Sequence, residues 1–261
     1  MILSALEVRS IELSKEFKDI QNEPFIIDDL ETLQPAFGKW GFQYFQSNFG
    51  DEVVILCDDA GNAKRHIKST LKNYISYILD APNNLPSLTE GKKWYLANWK
   101  ILEHSSQLQD DFKPHCELID LFPSFSSTNP KWHYGKFGWL FMGPAGTTTF
   151  PHRDILGTHA WLSQIVGKKI VRILCKSVEE EYISSKSTEQ LPWVWEVELN
   201  PGQTLFIPSN TLHEVIAVTP SISLSFNFIN HNNKEDVEQR IRAAPELWQR
   251  IIKETDIKWP N

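Results

Sequence analysis

Two histidines and an aspartate carry the chemistry this chain makes possible. His152 and Asp154 stand two residues apart in Thr149-Phe150-Pro151-His152-Arg153-Asp154. Side chains alternate along an extended segment, so both point to one side, and an imidazole nitrogen and a carboxylate oxygen can approach a single ion. A third ligand must come from elsewhere, and His213, closing the stretch from Gly202 through Pro208 to Leu212, is the candidate. Two imidazoles and one carboxylate on one face of a metal leave the remaining positions open, an arrangement that suits non-haem Fe(II). His-x-Asp alone is common in surface loops, so the flanking sequence has to decide.

His152-Arg153-Asp154 also has the wording of a protein-kinase catalytic loop. A kinase needs a glycine-rich loop, a β3 lysine and an Asp-Phe-Gly. None of these is present, and His159 stands where the loop's asparagine belongs. The kinase reading fails.

The segments around the ligands resemble those of the JmjC and cupin-like (Cupin_8) Fe(II)- and 2-oxoglutarate-dependent oxygenases. Gly157-Thr158-His159-Ala160-Trp161 matches that family's Gly-Thr-x-Ala-Trp, and Gly167-Lys168-Lys169 matches its Gly-x-Lys before the hydrophobic strand Ile170–Leu174. Upstream, Leu140 to Thr149 is similar to the family's strand-and-turn approach to the metal. Downstream, Pro201-Gly202-Gln203-Thr204-Leu205-Phe206-Ile207-Pro208 resembles its Pro-Gly-Asp segment, departing at Gln203, a turn position outside the ligand set. The likeness runs over residues 20–232. It implies Fe(2+) on His152, Asp154 and His213, with 2-oxoglutarate and O2 consumed. The expected reaction is hydroxylation of a C–H bond in a protein side chain or small molecule, with succinate and CO2 as co-products. On an N-methyl group the same step demethylates, which keeps an N-demethylase as an alternative. A non-oxygenase metal-binding cupin is another, and a catalytically silent binding module a third, although the intact triad argues against the last.

The co-substrate implied by the resemblance has a far carboxylate that needs a buried cation. Lys169 fits by motif position and chemistry, ahead of Lys168, whose side chain points oppositely on the strand. Thr149 offers a hydroxyl to the same carboxylate. Such a clamp has no obvious use in a cupin that takes no 2-oxoglutarate. Tyr95, in Trp94-Tyr95-Leu96, matches the family tyrosine that reaches the co-substrate; a packed core tyrosine is the competing reading. In Ile222-Ser223-Leu224-Ser225-Phe226-Asn227-Phe228 the apolar residues share one face and the small polar ones the other. A solvated outer face explains that pattern too. The family's hydroxyl residue and asparagine at matching positions favour Ser225 and Asn227 as cavity residues, with Asn227 the nearer to 2-oxoglutarate or substrate.

Many short strands with Gly/Pro turns from Trp139 onward predict an all-β core with flanking helices, a double-stranded β-helix or jelly roll. Upstream, Glu23–Ile27 reads as a marginal strand opened by Pro24, Trp40–Phe45 belongs to a helix, and Val53–Cys57 reads as a buried strand. Residues 70–79 have helical spacing. The oxygenase domain is expected over residues 1–232 and a helical extension over 233–261, broken at Pro245. That extension can cover the barrel or a second subunit, and related enzymes often dimerise through C-terminal helices. Residues 103–136 are loop-rich, with the composition of a lid or substrate wall, and their His104, His115 and His133 are assigned no metal role.

The 261 residues allow ample core, and no apolar run is long enough for a membrane span. A formal net charge of −7 disfavours a broad nucleic-acid surface. The start lacks a signal-peptide pattern and Cys57, Cys116 and Cys175 form no Cys-x-x-Cys, so a reduced cytoplasmic protein is expected.

Overall fold

Alternation of apolar and polar residues along short segments gives the chain its strands, and helices collect at its two ends. The computed structural model describes residues 6–7, 22–28, 35–58, 65–88, 91–103, 105–112, 121, 136–174, 178–180 and 191–252. The three histidines of 103–136, Cys116, Cys175 and most of both long loops lie outside them. In chain order come β1 (Leu6–Glu7), β2 (Phe25–Asp28), α1 (Ala36–Lys39), α2 (Phe42–Phe49), β3 (Val53–Cys57), β4 (His66–Thr70), α3 (Leu71–Ile78) and β5 (Leu96–Trp99). A 3-10 turn (Ile101–Glu103) and α4 (Ser106–Gln109) precede β6 (Gly138–Gly143) and β7 (Thr148–His152). After a second 3-10 turn (Ile155–Gly157) come β8 (His159–Val166), β9 (Lys169–Leu174), β10 (Trp195–Leu199), β11 (Gln203–Ile207), β12 (Leu212–Ala217) and β13 (Ser221–Phe228). Helices α5 (Lys234–Ala243) and α6 (Pro245–Ile252) close the described chain.

The strands form a five-stranded sheet, β1-β10-β9-β12-β7, and a six-stranded sheet, β2-β11-β8-β13-β6-β5. Val171, Ile173 and Val215 of the first meet Leu162, Leu205 and Ile207 of the second in one apolar cluster, so the sheets face each other as a jelly roll. The opposite face of the larger sheet is covered by the N-terminal helices. Trp161, Phe206, Leu224 and Phe226 pack there with Phe25, Trp40, Phe45 and Tyr74. Phe25 stacks on Phe206 at 4.6 Å and Trp161 on Phe226 at 4.7 Å. The Tyr74 hydroxyl donates to Met142 O (2.8 Å) and accepts from Leu96 N (3.0 Å), tying α3 to the sheet margin. On β13, Ile222, Leu224, Phe226 and Phe228 therefore serve this outer layer, and Ser223, Ser225 and Asn227 turn inward.

β3 departs from the buried strand expected of it. Its ladder partner is β4, with one further bridge from Cys57 to Tyr95, and Val53 and Ile55 are 65% and 57% exposed. A hairpin at the margin of the larger sheet, outside the two facing layers, has only one face to bury, so Val54 and Leu56 pack inward and the alternate residues meet solvent. β4 escapes a pattern search because His66-Ile67-Lys68-Ser69-Thr70 holds one apolar residue; backbone pairing to β3 defines it.

The C-terminal helices break at Pro245, which opens α6 at a position where its missing N–H costs nothing. Val237, Ile241 and Trp248 pack with Leu156 and Ile229 of the barrel rim, so the described apolar side of this pair is used within the chain. No helix among the described residues is long and apolar enough to cross a membrane.

Candidate metal centre

β12 starts at Leu212, which puts His213 inside the strand and directly opposite His152 on β7. Their rings lie 4.3 Å apart. Asp154 follows with extended backbone (φ −62, ψ 153), and its Oδ2 lies 4.0 Å from His213 Nε2. One donor atom from each of His152, Asp154 and His213 falls within 4.8 Å of the others. Each histidine is aimed by its own backbone: Nδ1 of His152 is 2.9 Å from Phe150 O, and Nδ1 of His213 is 3.0 Å from Thr211 O. A carbonyl can only accept, so Nδ1 carries the proton in both and Nε2 keeps its lone pair for a metal. Burial holds His213 below the usual histidine range, and His152 adds to the effect while Asp154 opposes it.

The loops that carry these ligands are fixed by strain and by a latch. Leu156, two residues past Asp154, is left-handed (φ 58), and so is Gly157 (φ 66). Leu156 accepts that strain because its side chain is buried under Val237, Ile241 and Trp248. A Cβ on Gly157 would meet Arg240 Nε at 2.8 Å. On the other ligand strand, Asn210 is left-handed (φ 59). Its carbonyl accepts from Arg153 Nε (3.2 Å) and its Oδ1 from Arg240 (3.0 Å), while Ser209 N donates to His159 Nδ1 (2.9 Å). His159 is no ligand; burial lowers it to about 4, so it stays neutral and props this turn. Asn210→Ala is expected to cost about 1–2 kcal/mol, because alanine resists the left-handed region. Asn210→Gly should recover most of the thermal stability but not the Arg240 contact. Thermal melts of the two variants beside metal titrations check this; equal behaviour would reject the conformational explanation.

Behind the ligands lies a cavity of about 420 Å³, within the ~300–1,000 Å³ usual for small-molecule sites. Thr149, Tyr95, Lys169, Ser225 and Asn227 all line it. Lys168 points outward to Glu198 (2.8 Å), and Lys169 is 1% exposed. Lys169 Nζ lies 3.5 Å from the Tyr95 hydroxyl and 5.4 Å over the Phe141 ring. Among the described residues it has no carboxylate partner, and burial alone lowers it to about 7. Tyr95 also hydrogen-bonds to Thr149, and burial raises its hydroxyl above the usual range. Asn227 donates to Thr158 Oγ1 (2.9 Å), so only part of its hydrogen-bonding capacity faces the cavity.

A buried ammonium without an acid, flanked by two hydroxyls, fits the far carboxylate of a dicarboxylic acid, and two imidazoles with a carboxylate fit Fe(II). Sequence reasoning missed Phe141, Arg153 and the Asn210 turn. Phe141 alone had a signal, sharing its inward face on β6 with Trp139. Gly143 explains the tyrosine's placement: a Cβ there would sit 2.6 Å from Tyr95 Cδ2 and 2.8 Å from Thr147 Oγ1. Gly143→Ala is expected to destabilise by about 1–3 kcal/mol through overpacking. It should also weaken 2-oxoglutarate binding by displacing the Tyr95 ring, which calorimetry with that compound reads directly.

A jelly roll with two imidazoles and a carboxylate at its mouth and a lone lysine behind them has the build of the cupin-fold metal proteins. Residues 127–236 match the model of the JmjC domain. It is 26% identical over 254 residues to the mouse 2-oxoglutarate and iron-dependent oxygenase JMJD4, covering 86% of this chain and 57% of that protein. It is 24% identical over 266 residues to the Caenorhabditis briggsae bifunctional arginine demethylase and lysyl-hydroxylase psr-1, covering 89% and 63%. With the Xenopus tropicalis lysine-specific demethylase 8 it shares 25% identity over 249 residues, 85% of this chain and 51% of the relative. The chain thus spans little more than half the length of these three relatives.

Proposed function

We propose that the chain is an Fe(II)- and 2-oxoglutarate-dependent dioxygenase that hydroxylates a C–H bond of a peptide or protein side chain, giving succinate and CO2. The observation that carries this reading is Lys169, a buried cation without an acid partner among the described residues, in the same cavity as the ligand triad. Bound iron supplies oxygen activation coupled to oxidative decarboxylation of the 2-oxo acid. The chain's own residues do the rest. His152, Asp154 and His213 hold the ion, with both Nδ1–H groups committed to carbonyls so that the rings do not turn. Lys169, Tyr95 and Thr149 hold the far carboxylate, and Leu162, Ile207 and Val215 keep water from the cavity.

A protein substrate draws support from the relatives, two of which are named for lysine or arginine residues. N-demethylation uses the same cavity and is the second reading, since those names include demethylases. The non-oxygenase cupin leaves Lys169 without a purpose. The test is incubation with Fe(II), 2-oxoglutarate, O2 and peptide pools. Succinate together with an added oxygen atom on a peptide supports hydroxylation; formaldehyde release points to demethylation; no succinate under any condition refutes the oxygenase reading. Cys57 is a buried thiol, which suits a reducing compartment such as the cytoplasm. A homodimer through the C-terminal helix would have to form on the side away from Val237, Ile241 and Trp248.

A further inference from the structure

The cavity's outer wall carries a charge that the reaction as proposed does not use. Strand register orders the pocket from end to end. β5 and β6 run with Leu96 opposite Met142 and Trp99 opposite Leu140, so Tyr95 and Gly143 lie at the Lys169 end. Lys100 and Lys136, which also line the cavity, flank the other end of the same strand pair. The ligands lie toward that outer end as well: His213 is opposite Ile173, while Lys169 is opposite Ala217, four residues away along the same pair of strands.

The charges on this wall do not cancel. Arg153 is paired with Glu179. Lys100 and Lys136 share one carboxylate, with Glu103 Oε1 at 3.6 and 3.2 Å, so among the described residues one positive charge is left over. Such a surplus stands out in a chain of formal net charge −7. Lys136 is largely buried, so its charge is screened less than an open surface lysine's. Trp139 and Ile155 line the same cavity and give it an apolar wall.

We propose that Lys100 and Lys136 form a substrate-binding subsite for a carboxylate, so that the preferred substrate carries an acidic group beside the residue that reacts. The proposal rests on the dioxygenase reading for what happens next, but the binding preference stands without it. An acidic substrate group neutralises the surplus charge, whereas a basic one adds to it in a half-enclosed site.

Fluorescence anisotropy of the whole chain, loaded with redox-inert Mn(II) and 2-oxoglutarate, against labelled Asp/Glu-rich, neutral and Lys/Arg-rich peptide pools tests this. Wild type should bind the acidic pool at least about tenfold tighter than the basic one, with each lysine contributing a few-fold. K100E/K136E should erase or reverse that order, and K100Q/K136Q, which removes charge without adding any, should fall between. K68E/K72E makes the same charge change on exposed residues of β4 and α3, outside this cavity, and should keep the wild-type order. Competition by free glutamate at the acidic pool's own concentration marks a small carboxylic acid as the source of the group; its failure marks a peptide. Binding of no pool, equal binding of acidic and basic pools, or an equal shift in K68E/K72E overturns the proposal. Charge preference without succinate formation removes the dioxygenase reading and leaves the subsite. Succinate formation without charge preference does the reverse.

Discussion

Asp154→Ala is expected to abolish metal-dependent turnover and metal binding together. The carboxylate is the one charged donor of the triad, so its removal leaves two neutral imidazoles facing a divalent ion. Loss of an outer partner of a metal ligand costs about 10–100-fold, and loss of the charged ligand itself should exceed that range. The fold should survive. Asp154 makes no side-chain cap to the 3-10 turn that follows, and that turn is held by Leu156 under the C-terminal helices. Metal titration followed by calorimetry, beside a thermal melt, separates the two effects. A variant that melts like wild type yet binds metal as tightly would remove Asp154 from the ligand set.

Lys169→Met should have the second largest effect, and its sign differs between stability and function. Removing one member of a buried charge pair costs about 3–5 kcal/mol, so 2-oxoglutarate affinity should fall on the order of 10²–10⁴-fold. Without co-substrate the same change should stabilise the protein at neutral pH. Burial lowers the folded-state Lys169 from 10.5 to about 7. Between those values the unfolded chain binds more protons than the folded one, so stability from this group rises with pH across pH 7–10.5. Methionine has no proton to lose and should flatten that rise. Ligand binding reverses the dependence: the carboxylate needs the ammonium, so apparent affinity should fall by up to about tenfold per pH unit above pH ~7. Melts and 2-oxoglutarate titrations from pH 6 to 9 check both slopes. A wild-type affinity that is flat over this range, or a Lys169→Met variant that binds normally, would take the lysine out of the pocket's chemistry.

The candidate site was legible in the sequence from two sources, the family resemblance, which pointed to Lys169, Thr149, Tyr95, Ser225 and Asn227, and the alternation of side chains along a strand. Period-2 alternation put His152 beside Asp154, separated Lys169 from Lys168 and turned Ser225 and Asn227 away from Leu224 and Phe226. The jelly roll followed from strand lengths and turns. What stayed hidden comes from pairings between distant segments. Nothing in the local sequence shows that Asn210 joins Arg153 to Arg240, that Leu156 holds a left-handed turn under Trp248, or that Lys100 and Lys136 meet over Glu103. The half-exposed β3 has the same origin, since an apolar run does not state how many faces its sheet will bury.

His152, Asp154 and His213 are proposed to hold one Fe(II) while Lys169 holds the far end of 2-oxoglutarate against it. Anaerobic titration of the protein with Fe(II) and 2-oxoglutarate, followed in the visible spectrum, tests both halves at once. The account predicts a weak charge-transfer band in wild type, none in Asp154→Ala, and in Lys169→Met a band that needs far more 2-oxoglutarate to appear. No band in wild type, or the same band at the same concentrations in all three proteins, would contradict it.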